Sequence, residues 1–326
     1  MNESEFDYIS IGDTQHDVFL EVEEGTKLFQ EGDRSYLGLA FPEKITVKKC
    51  TTVTAVGNAA NAAVGASRLG LKAAFYTVLS DDHIGKDEYK VFEDEGISTK
   101  FIQWDKNRRS NFSAVLNYKG DRTILVHHEK REYDLPHLPF IPWVYFTSVA
   151  KEHEKLHEQV ISYVNESHTK LMFNPGSHQL HDGLKGLKNI LEVAHVFFVN
   201  KQEAQLLTMN DTEDEKILLS LLFKEGPSMV VMTDGERGSF CFDGTTFYKL
   251  DIMKVPLVEM TGAGDAYATG FTVALAYGKP IAEAMRWGAI NSASVIQYIG
   301  AREGLLTKEN MEKLLKEHIQ PQAITF

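Results

Sequence analysis

The chain has 326 residues, 43% hydrophobic and 25% charged, an ordinary globular composition with enough length to bury a large core. Its 34 basic residues face 46 acidic ones; the formal net charge of -12 repels nucleic-acid phosphates and anionic membrane surfaces, and no run of Lys and Arg offsets it. Cys50 and Cys241 are too few and too far apart for a disulfide framework or a zinc site, no apolar stretch is long enough to cross a bilayer, and the acidic start "MNESEFDYISIGD" carries no signal core, so the expectation is a cytoplasmic protein with no nucleic-acid or membrane partner.

In chain order, "YISIG" (Tyr8 to Gly12) predicts a first buried strand. "VFLEVEEG" and "KITVKKCTTVTAV" alternate polar and apolar residues, the pattern of strands with one wet face. At Asn58 the pattern turns helical: "NAANAAVGASRLG" is Ala-rich, opens on Asn as an N-cap and stops at Gly70. "KAAFYTVLS" follows as a strand and "IGKDEYKVFEDEG" as a helix closed by Gly96. "SNFSAVLNYKGDRTILVHH" reads as a hairpin centred on Lys119-Gly120-Asp121.

Beyond it, strands and helices alternate: "WVYFTS", a helix near Glu152 to Asn165, "KLMFN", "VFFVN", a helix near Lys201 to Met209, and "SMVVMTDG". Such alternation predicts a parallel sheet with helices on both faces. Gly264 to Lys316 is mainly helical. The two patches of alternating strands fit poorly into a parallel sheet; together they predict a small separate sheet, an excursion from one domain spanning residues 1–326, at about 14–55 and 107–130.

Ligands of open parallel sheets gather beyond the carboxyl ends of the strands. Among the strand-to-helix handovers, "TGAGD" is the richest. Gly262 and Gly264 let backbone N–H groups approach an anion, and the adjoining helix aims its positive end at the same point. Asp265 beside that point suits a proton acceptor. A Walker A loop would require Lys, and a dinucleotide fingerprint a third glycine where Tyr267 stands, so neither applies. A tight turn capped by Asp is the plainer alternative.

"VNKQE" places Asn200 and Glu203 on one face at a helix start, where they could hold a hydrated Mg2+ or simply cap the helix. "TDGERG" offers a hydroxyl and two glycines to phosphate oxygens, or a plain hairpin turn.

The order of these segments resembles the ribokinase-type (PfkB) carbohydrate kinases over nearly the whole chain. "EMTGAGDAYATGF" matches that family's C-terminal signature, and "VGNAANAAVGASRLG" followed by "SDDHIGKDEYKVFEDEGI" its N-terminal one. "NKQEAQLL" and "VVMTDGERGSF" match its Asn-x-x-Glu segment and nucleotide turn. The resemblance implies an α/β fold, a three-layer α/β/α sandwich with a central, mostly parallel sheet and a small β-sheet lid. It also implies an ATP- and Mg2+-dependent phosphotransferase acting on a sugar hydroxyl.

By the same resemblance Asp265 is the base and Gly262, Ala263, Gly264 and Asp265 form the anion hole. Asn200 and Glu203 organise Mg2+ and phosphates, Thr233, Gly235 and Gly238 line the nucleotide, and Asn291 lies near the adenine. Asp17, Gly57 and Asn61 meet the sugar hydroxyls, and Arg109 and Asn111 stand where phosphosugar kinases grip the substrate phosphate. Many members pair through their lids, which implies a homodimer, and many bind a monovalent cation such as K+ at an acidic position before the anion hole.

The chain departs from the pattern in places. Val56 replaces the first of two glycines in the sugar pocket, Glu259 and Met260 replace the usual Asp and Thr, and "NPGS" at Asn174 to Ser177 lacks the usual Arg. The acceptor could equally be a nucleoside or a phosphosugar, and a catalytically silent sensor on the same scaffold is the alternative of another class. "HEKLH" (His153 to His157) formally satisfies the H-E-x-x-H zinc signature, but its polar flanks and missing third ligand predict a solvated helix face; "HHE" at His127 to Glu129 reads as part of the hairpin.

Overall fold

A computed structural model describes residues 4–32, 34–119, 121–317 and 321–326. Gly120, at the centre of the expected hairpin, and the first three residues of the acidic N-terminus lie outside the described residues. The N-terminal half runs β1 (Tyr8–Ile11), β2 (Gln15–Val22), β3 (Thr26–Glu31), β4 (Arg34–Leu39), β5 (Val47–Val56), α1 (Asn58–Arg68), β6 (Ala73–Tyr76), β7 (Val78–Ser80), α2 (His83–Asp94), β8 (Gln103–Asp105), β9 (Phe112–Tyr118) and β10 (Asp121–His127). The middle holds β11 (Trp143–Phe146), α3 (Glu154–Ser167), β12 (Lys170–Phe173), α4 (Ser177–His181), α5 (Gly183–Val193), β13 (Ala194–Asn200), α6 (Lys201–Thr208), α7 (Glu215–Phe223) and β14 (Val230–Thr233). The chain closes with β15 (Ser239–Phe242), β16 (Phe247–Leu250), α8 (Ala263–Ala276), α9 (Ile281–Val295), α10 (Lys308–Glu317) and β17 (Ile324–Thr325).

Among the described residues the main sheet has the order β17-β16-β15-β14-β13-β12-β11-β1-β6. Strands β6, β1 and β11 to β14 are parallel, while β15, β16 and β17 are added antiparallel. The parallel strands read as near-continuous apolar runs because both faces are covered. Alternate residues serve opposite layers: Ile9, Val144, Phe146, Leu171, Phe197 and Val230 join a core with α3, α5, α6 and α7. Tyr8, Tyr145, Met172, Phe198 and Val231 join another with α8, α9 and the far side of α1. That period of two, with a helix layer on each face, is the three-layer α/β/α arrangement.

The two alternating patches meet as expected: β10-β9-β2-β5 form a second sheet of four strands, with β2 and β9 parallel and the other pairs antiparallel. β3 and β4 make a separate hairpin.

Three local expectations shift. "KAAFYTVLS" is two strands, since the chain leaves the main sheet after Tyr76 and β7 pairs with β8 instead. The first helix has Gly57 at its N-cap, with Asn58 already inside. Helices α5 and α7 cover one face of the sheet although the sequence pattern did not predict them.

Candidate active site

The parallel strands end along one edge of the main sheet, and polar residues gather at those ends: Asp13 and Thr14 after β1, Asn174 after β12, Asn200 and Thr233 as the last residues of β13 and β14. The start of α8 comes to this edge. The charge of Asp265 reaches the buried hydroxyls of Tyr8 and Tyr145, whose ionisation it opposes along with burial.

The turn before α8 is built on two different glycines. Gly262, its N-cap, has φ 78, and a Cβ there would lie 2.3 Å from Ala301 Cβ and 2.7 Å from Ala301 Cα. Conformation and space both exclude a side chain. Gly264 has an ordinary φ and faces open space, with no heavy atom within 4 Å of where a Cβ would stand. The Ala263 amide donates to Met260 O at 3.2 Å and that of Ala266 to Gly262 O at 2.9 Å. Among the described residues the amides of Gly264 and Asp265 have no backbone acceptor. Two free N–H groups at the positive end of a helix, opening onto empty space, favour an anion.

Asp265 itself is buried, and its Oδ2 accepts from Asn61 Nδ2 at 2.8 Å. Burial pushes its carboxyl up to about 6; Asn61 works against the rise and the negative charge of Glu203 adds to it. Asn61 Oδ1 is buried with no hydrogen-bond partner in the described chain, the kind of orphaned acceptor that a ligand hydroxyl would satisfy.

Asn200 and Glu203 form a capping box: Asn200 Oδ1 accepts from the Glu203 amide and Glu203 Oε2 from the Asn200 amide, both at 2.8 Å. Helix capping and a role toward a ligand are compatible here, because the charge of Glu203 still reaches Asp265. Burial holds the Glu203 carboxyl above its usual range, opposed by Asn200. A half-buried carboxylate facing a second one suits a hydrated Mg2+.

Thr233 and Gly235 lie on the same edge, Gly235 with φ 48 and no atom near its missing Cβ. Gly238 is there for packing: a Cβ would sit 2.1 Å from Leu250 O. The turn is anchored by Lys201, whose Nζ lies 3.5 Å from Asp234 and 2.9 Å from Glu213. Asn291 is fully buried, with Nδ2 donating to Ala266 O and Oδ1 accepting from the Leu306 amide, so its amide group ties the first turn of α8 to the loop before α10.

Of the residues expected to meet an acceptor, Asp17 in β2 is buried and its Oδ1 accepts from Gln15 Nε2 at 2.9 Å. Burial pushes its carboxyl up to about 6, and the charge of Glu259 acts in the same direction. Gly57 packs over Asp13 O, next to Val56, which is buried and whose carbonyl accepts from Thr14 Oγ1. Asn111 is turned inward: Nδ2 donates to Thr14 O and Oδ1 accepts from the Glu129 amide, so the side chain seams the edge of the second sheet. Arg109 is exposed, and its carbonyl rather than its guanidinium is the part held, by Arg131 Nη2.

Sequence reasoning missed a buried polar network beside Thr14 and Val56. Asp13 accepts from Tyr133 Oη and from the Ala150 amide, Arg131 donates to Ser80 Oγ, and Glu88 Oε1 lies 3.4 Å from Thr14 Oγ1. Its members come from five separate segments, and no local pattern links them. The H-E-x-x-H segment also differs from expectation. His153 and His157 are buried, not solvated: His153 bridges Ala150 O and Asp182, and Gln179 Nε2 donates to His157 Nε2 while the ring packs edge-on to Phe146. Burial, aided by His153, drives His157 down to about 3. Among the described residues no group of three potential metal ligands occurs.

Glu259 does not fit a monovalent cation. One of its oxygens accepts from Thr261 Oγ1, the other from the Gly300 amide at 2.7 Å, and Arg122 Nη1 stands 3.9 Å away. Each carboxylate oxygen already accepts from one donor of the chain, and the positive charge of Arg122 beside them opposes a second cation.

The pfkB family carbohydrate kinase profile matches residues 29–308. An uncharacterized sugar kinase of Archaeoglobus fulgidus is 29% identical over 257 residues, which is 74% of this chain and 98% of that protein. Ribokinase of Bacillus subtilis is 26% identical over 266 residues, 79% and 87% of the two chains. The fold is similar to that of Arabidopsis thaliana ribokinase, solved with ribose and ATP, at a TM-score of 0.78 and 21% identity over 95% of this chain and 99% of that one. No described helix is long and apolar enough to cross a membrane.

Proposed function

The chain belongs to the pfkB family of carbohydrate kinases, and from that premise we propose that it transfers the γ-phosphoryl group of ATP to a hydroxyl of a small sugar. The first turn of α8 carries the reading: a buried carboxylate beside two amides without acceptors, opening onto clear space at Gly264. Phosphoryl transfer asks for positioning and for charge stabilisation more than for covalent help. Asp265 takes the proton of the attacking hydroxyl on the oxygen that Asn61 leaves free, and Asn61 holds the other. The amides of Gly264 and Asp265 meet the oxygens of the migrating group.

Glu203, its rotamer fixed by Asn200, would hold Mg2+ through water. The chemistry that Mg2+ would supply there is neutralisation of phosphate charge. Thr233 and Gly235 border the nucleotide, and Asn291 acts one step back by fixing the turn.

Asp17 and the unpartnered Oδ1 of Asn61 accept from acceptor hydroxyls. With the Asn111 amide spent inside the chain, an uncharged acceptor is favoured over a phosphosugar. A nucleoside fits the same hydroxyl-binding groups. The second sheet acts as a lid that excludes water. Its exposed Ile124, Leu125 and Val126, with Leu28, Phe29 and Phe41 of the neighbouring hairpin segment, pair two copies into a dimer, which sedimentation velocity tests.

The deciding experiment is ADP release with ribose, fructose, fructose 6-phosphate or adenosine in turn. One preferred neutral acceptor is expected. Saturable binding of these compounds with no ADP from any of them would establish a silent sensor instead.

A further inference from the structure

Glu259 sits between the turn and a distant strand. Its carboxylate accepts from Thr261 Oγ1, one residue before Gly262, and from the Gly300 amide, one residue before the Ala301 against which Gly262 packs. The amides of Val258 and Glu259 both donate to Ile296 O. Glu259 therefore pins the loop after α9 against the segment that leads into the free amides of α8. Its ion-pair partner is not part of this region: Arg122 belongs to β10, the edge strand of the second sheet farthest from β5, where that sheet joins the main body. Among the described residues neither side chain has another ion pair, and Asp17 of β2 lies close enough to feel the charge of Glu259. The pair thus joins the second sheet to the segment that leads into α8.

We propose that Arg122 is a positioning residue, a latch through which the second sheet, seated over the acceptor, orders the turn before α8; the guanidinium fills the place of a structural cation at Glu259. The inference rests on the phosphotransfer reading. Its chemistry suits a reversible device. The Arg122 side chain is 31% exposed and the pair stands at 3.9 Å, so it is weak enough to open in each cycle and has room to tighten. Its effect falls on the geometry of the turn and not on global stability, because one long, part-exposed ion pair contributes little to the folding free energy.

The test uses the full chain with Arg122→Ala and Arg122→Lys. Steady-state kinetics should show kcat for the acceptor lowered roughly five- to fifty-fold in Arg122→Ala, with the KM for ATP changed less than about threefold and most activity recovered in Arg122→Lys. Hydrogen exchange should speed up across residues 257–265 in Arg122→Ala while its Tm stays within about 2 °C of the wild type. Kinetics within about twofold of wild type together with unchanged exchange would overturn the latch. So would a tenfold or larger activation of the wild type by KCl over choline chloride at equal ionic strength, roughly 1.4 kcal/mol or more, since Glu259 would then take a metal cation. If no acceptor is phosphorylated yet exchange still rises in Arg122→Ala, the kinase reading falls and the coupling stands.

Discussion

Asn61 Nδ2 donates to Asp265 Oδ2 over 2.8 Å, joining residues 204 positions apart on α1 and α8. The contact fixes one carboxylate oxygen and leaves the other to receive a proton. Asp265→Ala is therefore expected to lower kcat by roughly two to four orders of magnitude while ATP affinity changes little, the pattern for loss of a positioned base. Single-turnover kinetics with a separate nucleotide-binding titration checks this, and near-normal turnover would remove Asp265 from the mechanism.

The acid limb of kcat/KM should move in opposite directions in two variants. A base works unprotonated, so with its carboxyl pushed up to about 6 the rate rises with pH through that value and levels above it. Glu203→Gln deletes a negative charge that raises Asp265, so its limb moves to lower pH. Asn61→Leu deletes a donor that favours the carboxylate, so its limb moves to higher pH. Profiles at saturating Mg2+ compare the position of the limb and not its height. A limb that stays put in both would assign it to Asp17, whose carboxyl is also held at about 6.

Much of this corner was legible because its signals are local. The glycine spacing of "TGAGD", the apolar runs of β11 to β14 and the alternation of β2, β5, β9 and β10 each depend on residues a few positions apart. Helix α5 was not, since Gly183 and Gly186 interrupt "GLKGLKNILEV" and hide the spacing of Leu187, Ile190 and Leu191. α7, "EKILLSLLF", is apolar nearly all round and shows little period. The burial of His153 rests on Asp182, 29 residues on, and that of His157 on Gln179, 22 residues on. Glu88 lies in a polar helix and reads as solvated until Thr14 and Arg131 are brought over it.

The two glycines of the turn should respond differently to the same change. Gly264→Ala meets no atom within 4 Å and needs no unusual backbone, so the protein should fold with unchanged or slightly higher Tm, as expected where Ala replaces a helical Gly at a gain of up to about 1 kcal/mol. Its methyl group would occupy the clear space offered to the phosphoryl group, lowering kcat/KM by roughly tenfold or more. Gly262→Ala drives Cβ into Ala301 at φ 78 and should cost both stability and activity. Thermal unfolding alongside kinetics separates the two, and full activity in Gly264→Ala would show that the space is not used.

Glu88 predicts a stability that falls toward alkaline pH. Burial pushes its carboxyl from the ordinary 4.5 up to about 8, partly countered by Arg131 and reinforced by Asp82 and Asp13. The unfolded chain releases this proton near 4.5 and the folded chain only near 8, so the contribution is complete below about 4.5 and is lost as pH rises through the window to 8. Each unit is worth roughly 1.4 kcal/mol, so the loss reaches on the order of a few kcal/mol by about pH 9. Glu88→Gln keeps the group neutral at every pH and keeps a polar group beside Thr14 Oγ1, whose own proton goes to Val56 O. Its Tm should match the wild type near pH 4.5 and exceed it by several degrees near pH 9, about 2 °C for each kcal/mol in a chain of this size. A wild type more stable than Glu88→Gln at pH 9 would mean that the carboxylate is ionised and paired with Arg131, reversing the sign of its role.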